Sequence, residues 1–116
     1  LSGDGFHIFV GKYNCQKYEL TFQVARGNDW WFHAKGIPGS HVIVQTEGKG
    51  LPDRTFEEAA RLAAYYSAAR GADKVEIDYV EKKHVKKPNG SKPGFVVYYT
   101  NYSMMIDSDI SGIAQI

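Results

Sequence analysis

The stretch Asp29-Trp30-Trp31-Phe32-His33-Ala34-Lys35-Gly36-Ile37-Pro38-Gly39-Ser40-His41-Val42-Ile43-Val44 decides how this chain is read. Two apolar runs flank a segment that holds Gly36, Pro38 and Gly39, which is the pattern of strand, tight turn, strand. Two indoles, two imidazoles and an ammonium crowd that turn, far more chemistry than a chain reversal needs. Loops held by a rigid scaffold commonly carry function, so the turn is the first candidate site. Neighbours on a strand face opposite ways. One of Trp30 and Trp31 therefore faces the core, and the spacing alone does not say which.

Outward from this hairpin, Phe6, Ile8 and Val10 have strand spacing, and Lys12, Tyr13 and Asn14 form a polar bend after Gly11. Residues 15–25 fit two patterns. Tyr18, Phe22 and Ala25 recur at helical spacing, while Tyr18, Leu20, Phe22 and Val24 alternate as in a strand. Downstream, Thr55 reads as a helix N-cap with Glu58 completing a capping box, and the helix is expected to run to about Arg70 and stop at Gly71. Its alanines allow close packing on a sheet. Val75, Ile77 and Tyr79 alternate as a half-exposed strand, and Phe95 to Tyr99 is a second β run. The two are expected to pair as one long hairpin whose tip carries Lys86, Lys87 and Lys92. Met104 to Ile106 are expected to form a last edge strand. The reading is α+β: a mostly antiparallel sheet, one main packing helix at about 55–70, and a second short helix at about 15–25 if the helical pattern wins there.

The 116 residues suit one domain, spanning 1–116, and 43% hydrophobic content supports a core. No apolar run approaches the roughly 20 residues of a membrane span, and no leader pattern is present. The chain begins at Leu1, which favours a domain cut from a longer protein. The single cysteine, Cys15, has no internal disulfide partner, which favours a reducing, cytoplasmic setting. Net charge is only +1, but Lys82, Lys83, His84, Lys86, Lys87 and Lys92 cluster, opposed locally by Glu81 alone. A basic strip on a near-neutral domain attracts a polyanion locally.

Catalytic and metal chemistries find little support. A metal site needs three or four ligands with second-shell support, and only His33 and His41 can be placed together from the sequence. Ser40 beside His41 does not make nucleophile geometry by adjacency, and its plain reading is a residue that caps the turn. Gly36-Ile37-Pro38-Gly39 and Gly90-Ser91-Lys92 both lack the P-loop spacing. No cofactor is indicated. Nucleic acid fits better. Trp30, Trp31, Tyr13, His33 and His41 offer rings for stacking, and Lys12, Lys35, Lys82, Lys83, Lys86, Lys87 and Lys92 offer phosphate contacts.

Trp31-Phe32-His33-Ala34-Lys35-Gly36-Ile37-Pro38-Gly39-Ser40-His41-Val42-Ile43 also resembles the signature of the NFACT-R domain. The resemblance extends to Asp4-Gly5-Phe6, to Val10-Gly11-Lys12-Tyr13-Asn14, to Ala63-Ala64-Tyr65-Tyr66-Ser67 with Ala69-Arg70, to Val75 through Tyr79, and to Lys92-Pro93-Gly94. This chain departs in Tyr13, where asparagine commonly follows the lysine, and in Gly36, where an acidic residue is common. The loss of that acid leaves Lys35 less opposed in the sequence. The resemblance implies the helix over 15–25 and an RNA-binding module without catalysis. It implies a place in the C-terminal part of a larger ribosome-associated quality control factor, which handles stalled peptidyl-tRNA on the large ribosomal subunit and recruits tRNA. Partners would be tRNA, large-subunit RNA and the parent protein's other domains. The RNA-binding residues carried forward are Lys12, Tyr13, Asn14, Trp30, Trp31, His33, Lys35, Ser40 and His41, with Lys82, Lys83, Lys86, Lys87 and Lys92. Members of the family have also been called fibronectin-binding, so a protein-interaction or adhesin-type module is the alternative, with a His33/His41 hydrolase behind it.

Overall fold

A computed structural model describes residues 5–86, 96–98, 102–111 and 113. The side chains of Asn14, Cys15, Tyr18, Gln23 and Val97 lie outside the description, as do Lys87, Lys92 and the Pro93-Gly94 pair. The central hairpin forms as the sequence predicts. Strand β2 (Trp30–Ala34) pairs antiparallel with β3 (His41–Val44), Trp30 opposite Val44 and Phe32 opposite Val42. Strand β1 (Ile8–Gly11) adds to β3. Strands β4 (Val75–Glu81) and β7 (Tyr102–Ile106) extend the other side, giving the antiparallel order β1-β3-β2-β4-β7. The expected edge strand around Met104 to Ile106 is β7.

Alternation along β2, β3 and β4 sorts the residues onto two faces. Phe32, Ala34, Val42, Val44 and Ile77 bury one face beneath helix α2 (Asp53–Tyr65), whose Ala59, Ala60, Ala63 and Ala64 are fully buried against them. Small side chains at the contact let a helix lie close to a sheet, as the alanine run implies. The opposite face carries Trp31, Ile43 and Val80, covered by Leu20 and Val85 with Phe22 and Tyr98 around them. This second layer comes from α1 (Asn14–Glu19), continued by a wider π-type turn over Leu20–Val24, and from a short ribbon of β5 (Val85–Lys86) with β6 (Val97–Tyr98). The helical reading of 15–25 therefore holds. Gly11 permits this packing, because a Cβ there would stand 3.1 Å from backbone atoms of Gln16 and Lys17.

Three expectations need correction. Helix α2 begins at Asp53 behind Pro52, whose fixed φ of −65° suits the boundary, so Thr55 is a buried first-turn residue and not the N-cap. It also ends at Tyr65, five residues before Arg70. The cause is the central turn: Ser40 N–H donates to the Tyr66 carbonyl at 3.0 Å and Ala68 N–H to the Pro38 carbonyl at 2.9 Å. Those contacts, with the Gly39–Ser67 bridge, draw the chain out of the helix. Finally, Val75 to Val80 do not pair with the Phe95–Tyr99 run. The edge of β4 is taken by β7, and the chain leaves the sheet through a 3₁₀ turn at Lys82–His84 to build the separate β5–β6 ribbon. The expected lysine-bearing tip lies mostly outside the described residues.

Candidate nucleic-acid interface

The face opposite α2 holds an aromatic group built on three strands. Trp31 and His33, two residues apart on β2, stack with centroids 5.7 Å apart and planes 3° from parallel. His41, at the start of β3, meets Trp31 edge-on at 5.2 Å and His33 edge-on at 5.4 Å. Tyr98 packs on Trp31 at 4.8 Å from the β5–β6 ribbon. Lys17 on α1 and the Gly36–Gly39 turn close the sides of a pocket of about 430 Å³. Among the described residues, Lys17 is the one charged residue in its lining.

His41 is 1% exposed. Its Nδ1 lies 3.0 Å from the Thr21 hydroxyl, and a ring N–H reaches the Lys17 backbone. Burial, then the neighbouring His33 and Lys17, pushes its pKa down to about 3. His41 is thus a neutral imidazole near neutral pH, held between the Thr21 hydroxyl and the Lys17 backbone. Burial and Lys17 lower His33 as well. Both rings present uncharged surfaces near neutral pH. Among the described residues no carboxylate pairs with Lys17, and partial burial holds its ammonium below its ordinary pKa.

Beneath the ribbon sits Asp78, 1% exposed. It accepts the hydroxyls of Tyr98 and Ser103. The Lys35 ammonium lies 3.6 Å from Asp78 and 3.7 Å from Glu76. The local neighbour lost at Gly36 is therefore replaced across the strand: register puts His33 opposite Asp78, so Lys35 falls beside Glu76. Burial and the Asp78 carboxylate raise the pKa of Tyr98, keeping its proton on the hydrogen bond.

The remaining predicted residues divide clearly. Trp31 is the core indole at 0% exposed, and Trp30 lies on the α2 side against Phe56 and Tyr79. Ser40 is buried, with no partner for its hydroxyl among the described residues, so it does not cap the turn through its side chain. Tyr13 is 71% exposed at the start of α1, Asn14 opens that helix, and the Lys12 ammonium sits 4.4 Å over the Tyr66 ring. Lys82, over the Phe22 ring, and Lys83, paired to Glu81, stand where β4 ends beside the start of β2. The central turn lies at the other end of these strands, about 17 Å away by strand rise. Lys86 is exposed on β5. The sequence reading missed Lys17, Tyr98 and Asp78. The helical phase that turns Leu20 and Thr21 inward also turns Lys17, four residues before Thr21, toward the sheet.

Among the described residues, no group of three or more His, Cys, Asp or Glu could hold a metal ion, and no helix is long and apolar enough to cross a membrane. A second hollow of about 480 Å³ lies on the α2 side, lined by Trp30, Phe56, Tyr79, Tyr102 and Met105. Its charged residues, Asp53 and Glu57, are acidic.

An α+β domain whose sheet is covered on both faces and that carries a ring-lined, cation-bearing pocket has the features of a nucleic-acid-binding module. The family described as NFACT protein RNA binding domain matches residues 1–100, and the chain belongs to that family. It is 43% identical over 116 residues to the Rqc2 homolog RqcH of Bacillus subtilis, covering 99% of this chain and 20% of the relative. It is 50% identical over 91 residues to the Rqc2 homolog RqcH of Streptococcus suis, covering 78% of this chain and 16% of that relative. The chain thus spans about a fifth of these proteins. Its fold matches the C-terminal part of the fibronectin/fibrinogen-binding protein from Streptococcus suis with a TM-score of 0.89 and 44% identity, over 94% of this chain and 44% of that one.

Proposed function

We propose that this domain binds tRNA or large-subunit ribosomal RNA through the face opposite α2. In this reading it is a non-catalytic module of a cytoplasmic ribosome quality control factor that engages stalled peptidyl-tRNA. The observation that carries the reading is the ring-lined pocket with Lys17 on the side where Lys82 lies over Phe22, with Lys83 and the exposed Lys86 following it in the chain. Lys12 and Tyr13 extend this surface past the turn. Lys87 and Lys92 belong to the same proposed cation set by sequence. Lys35 serves here by fixing the strand end between two carboxylates, and Ser40 by anchoring the turn to α2's end through its backbone. Phosphate contacts supply affinity, and exposed rings supply contact with unpaired bases.

The test is a tRNA titration of the chain at two salt concentrations, repeated with Lys82→Gln/Lys83→Gln/Lys86→Gln. Affinity falls steeply with salt for the parent chain, and the variant's slope is shallower by about two to three phosphate contacts. Binding that ignores salt would refute a phosphate-led surface.

One observation favours a second, protein-binding reading. Tyr102, 54% exposed, borders the acidic hollow from the edge strand β7, on the same side as Trp30 and Tyr79. A partner held there would bind without competing with tRNA, and Tyr102→Glu would remove it while leaving RNA binding intact.

A further inference from the structure

We propose that the pocket between Lys17, His33 and the Pro38–Gly39 turn takes one unpaired nucleotide of the bound RNA, its base against the His33 ring and its phosphate at Lys17. This rests on the RNA-binding reading above and gives that surface its specific element.

Three observations favour this occupant. The lining is mostly ring and turn, with His33 partly accessible and Trp31 and His41 forming the floor. Flat, uncharged surfaces suit a nucleobase, and both imidazoles are held neutral by burial. Secondly, Lys17 is a partly buried cation with no carboxylate partner among the described residues, while Lys35, nearby on the same face, has two. A partly buried unpaired ammonium calls for an anion. Thirdly, Trp31 lines this pocket while its indole N–H has no acceptor among the described residues, so its resonance is a local reporter of what enters. An acidic or phosphate-free apolar partner matches only one of these features at a time. The hollow on the α2 side has aromatic rings too, but its charges are carboxylates and would repel a phosphate.

The two indoles lie on opposite faces, which supplies an internal control. The experiment follows the Trp30 and Trp31 indole N–H resonances of the chain during titration with a short single-stranded RNA of mixed sequence. The same RNA with abasic positions, a nucleoside monophosphate and inorganic phosphate are titrated in parallel. The expected result is that the intact RNA moves Trp31 and leaves Trp30 in place. The monophosphate moves Trp31 more weakly, and the abasic RNA and phosphate do not. Lys17→Gln and His33→Ala each weaken the RNA by about tenfold, one contact's worth, and His33→Phe, which keeps a ring, restores most of it.

RNA that binds while Trp31 stays still would overturn the pocket and leave the RNA-binding reading standing. Equal movement with abasic RNA or with phosphate would show an anion site and no base pocket. A monophosphate that binds as tightly as the RNA would make the occupant a free nucleotide, contrary to the proposal. No RNA binding at low salt would overturn the functional reading and the pocket together.

Discussion

Burial and two neighbours hold the His41 imidazole at about 3, with His33 lowered in the same direction. In the unfolded chain both rings titrate near the ordinary value of about 6.5. Above that pH, folded and unfolded states are both neutral and stability is at its full value. Below it, the unfolded state takes up protons that folded His41 refuses, so stability falls until pH nears 3. From pH 6.5 to 5 His41 alone costs about 2 kcal/mol, with His33 adding in the same sense. Urea unfolding at the two pH values measures this, and His41→Gln flattens the decline. A stability unchanged between them would mean that the ring is solvated. At the same scale, alternation shows that Trp30 and Trp31 part company, but the buried one is named only by what covers each face. Trp31 meets α1 and the β5–β6 ribbon, and neither layer is visible in the local pattern. Lys35 also escapes sequence reasoning, because its carboxylate partners sit on β4, more than forty residues away.

At the scale of elements, the Tyr98 hydroxyl ties the ribbon to the sheet, on a carboxylate that Ser103 of β7 also holds. Tyr98 and Ser103 both donate to buried Asp78. Tyr98→Phe leaves that carboxylate short of a donor and destabilises the chain by about 1–3 kcal/mol, read from the denaturation midpoint. No change would show that the ribbon rests on the sheet by apolar contact alone. Helix α1 depends on Gly11 in the same way. Gly11→Ala forces the 3.1 Å backbone approach apart, costs about 1–3 kcal/mol, and weakens RNA binding by displacing Lys17. Gly50→Ala, with open space around it, leaves both unchanged. The central hairpin and α2 were legible because each carries its own periodicity. The end of α2 was not: alanines to position 69 favour helix, and only the backbone contacts from Pro38 and Ser40 stop it at Tyr65. The partner of β4 was equally hidden. Two β runs follow it, Phe95–Tyr99 and Tyr102–Ile106, and local spacing does not choose between them.

Across the whole molecule, the sheet separates two kinds of surface. The α2 side offers a hollow edged by Asp53 and Glu57, and the other side offers rings with Lys17, which has no carboxylate partner among the described residues. The net charge of +1 does not show this division, because it is a sum over the whole chain. RNA contact is therefore expected to be one-sided, and a matched pair of charge reversals tests it most directly. Lys17→Glu changes the pocket face, and Arg54→Glu makes the same change on α2, where Arg54 is exposed beside Glu58. Both variants are titrated with tRNA at low salt after confirming that they fold. Lys17→Glu is expected to lose at least tenfold in affinity, and Arg54→Glu to stay within about twofold. Equal losses, or a larger loss from Arg54→Glu, would contradict a binding surface centred on the Trp31, His33 and His41 face.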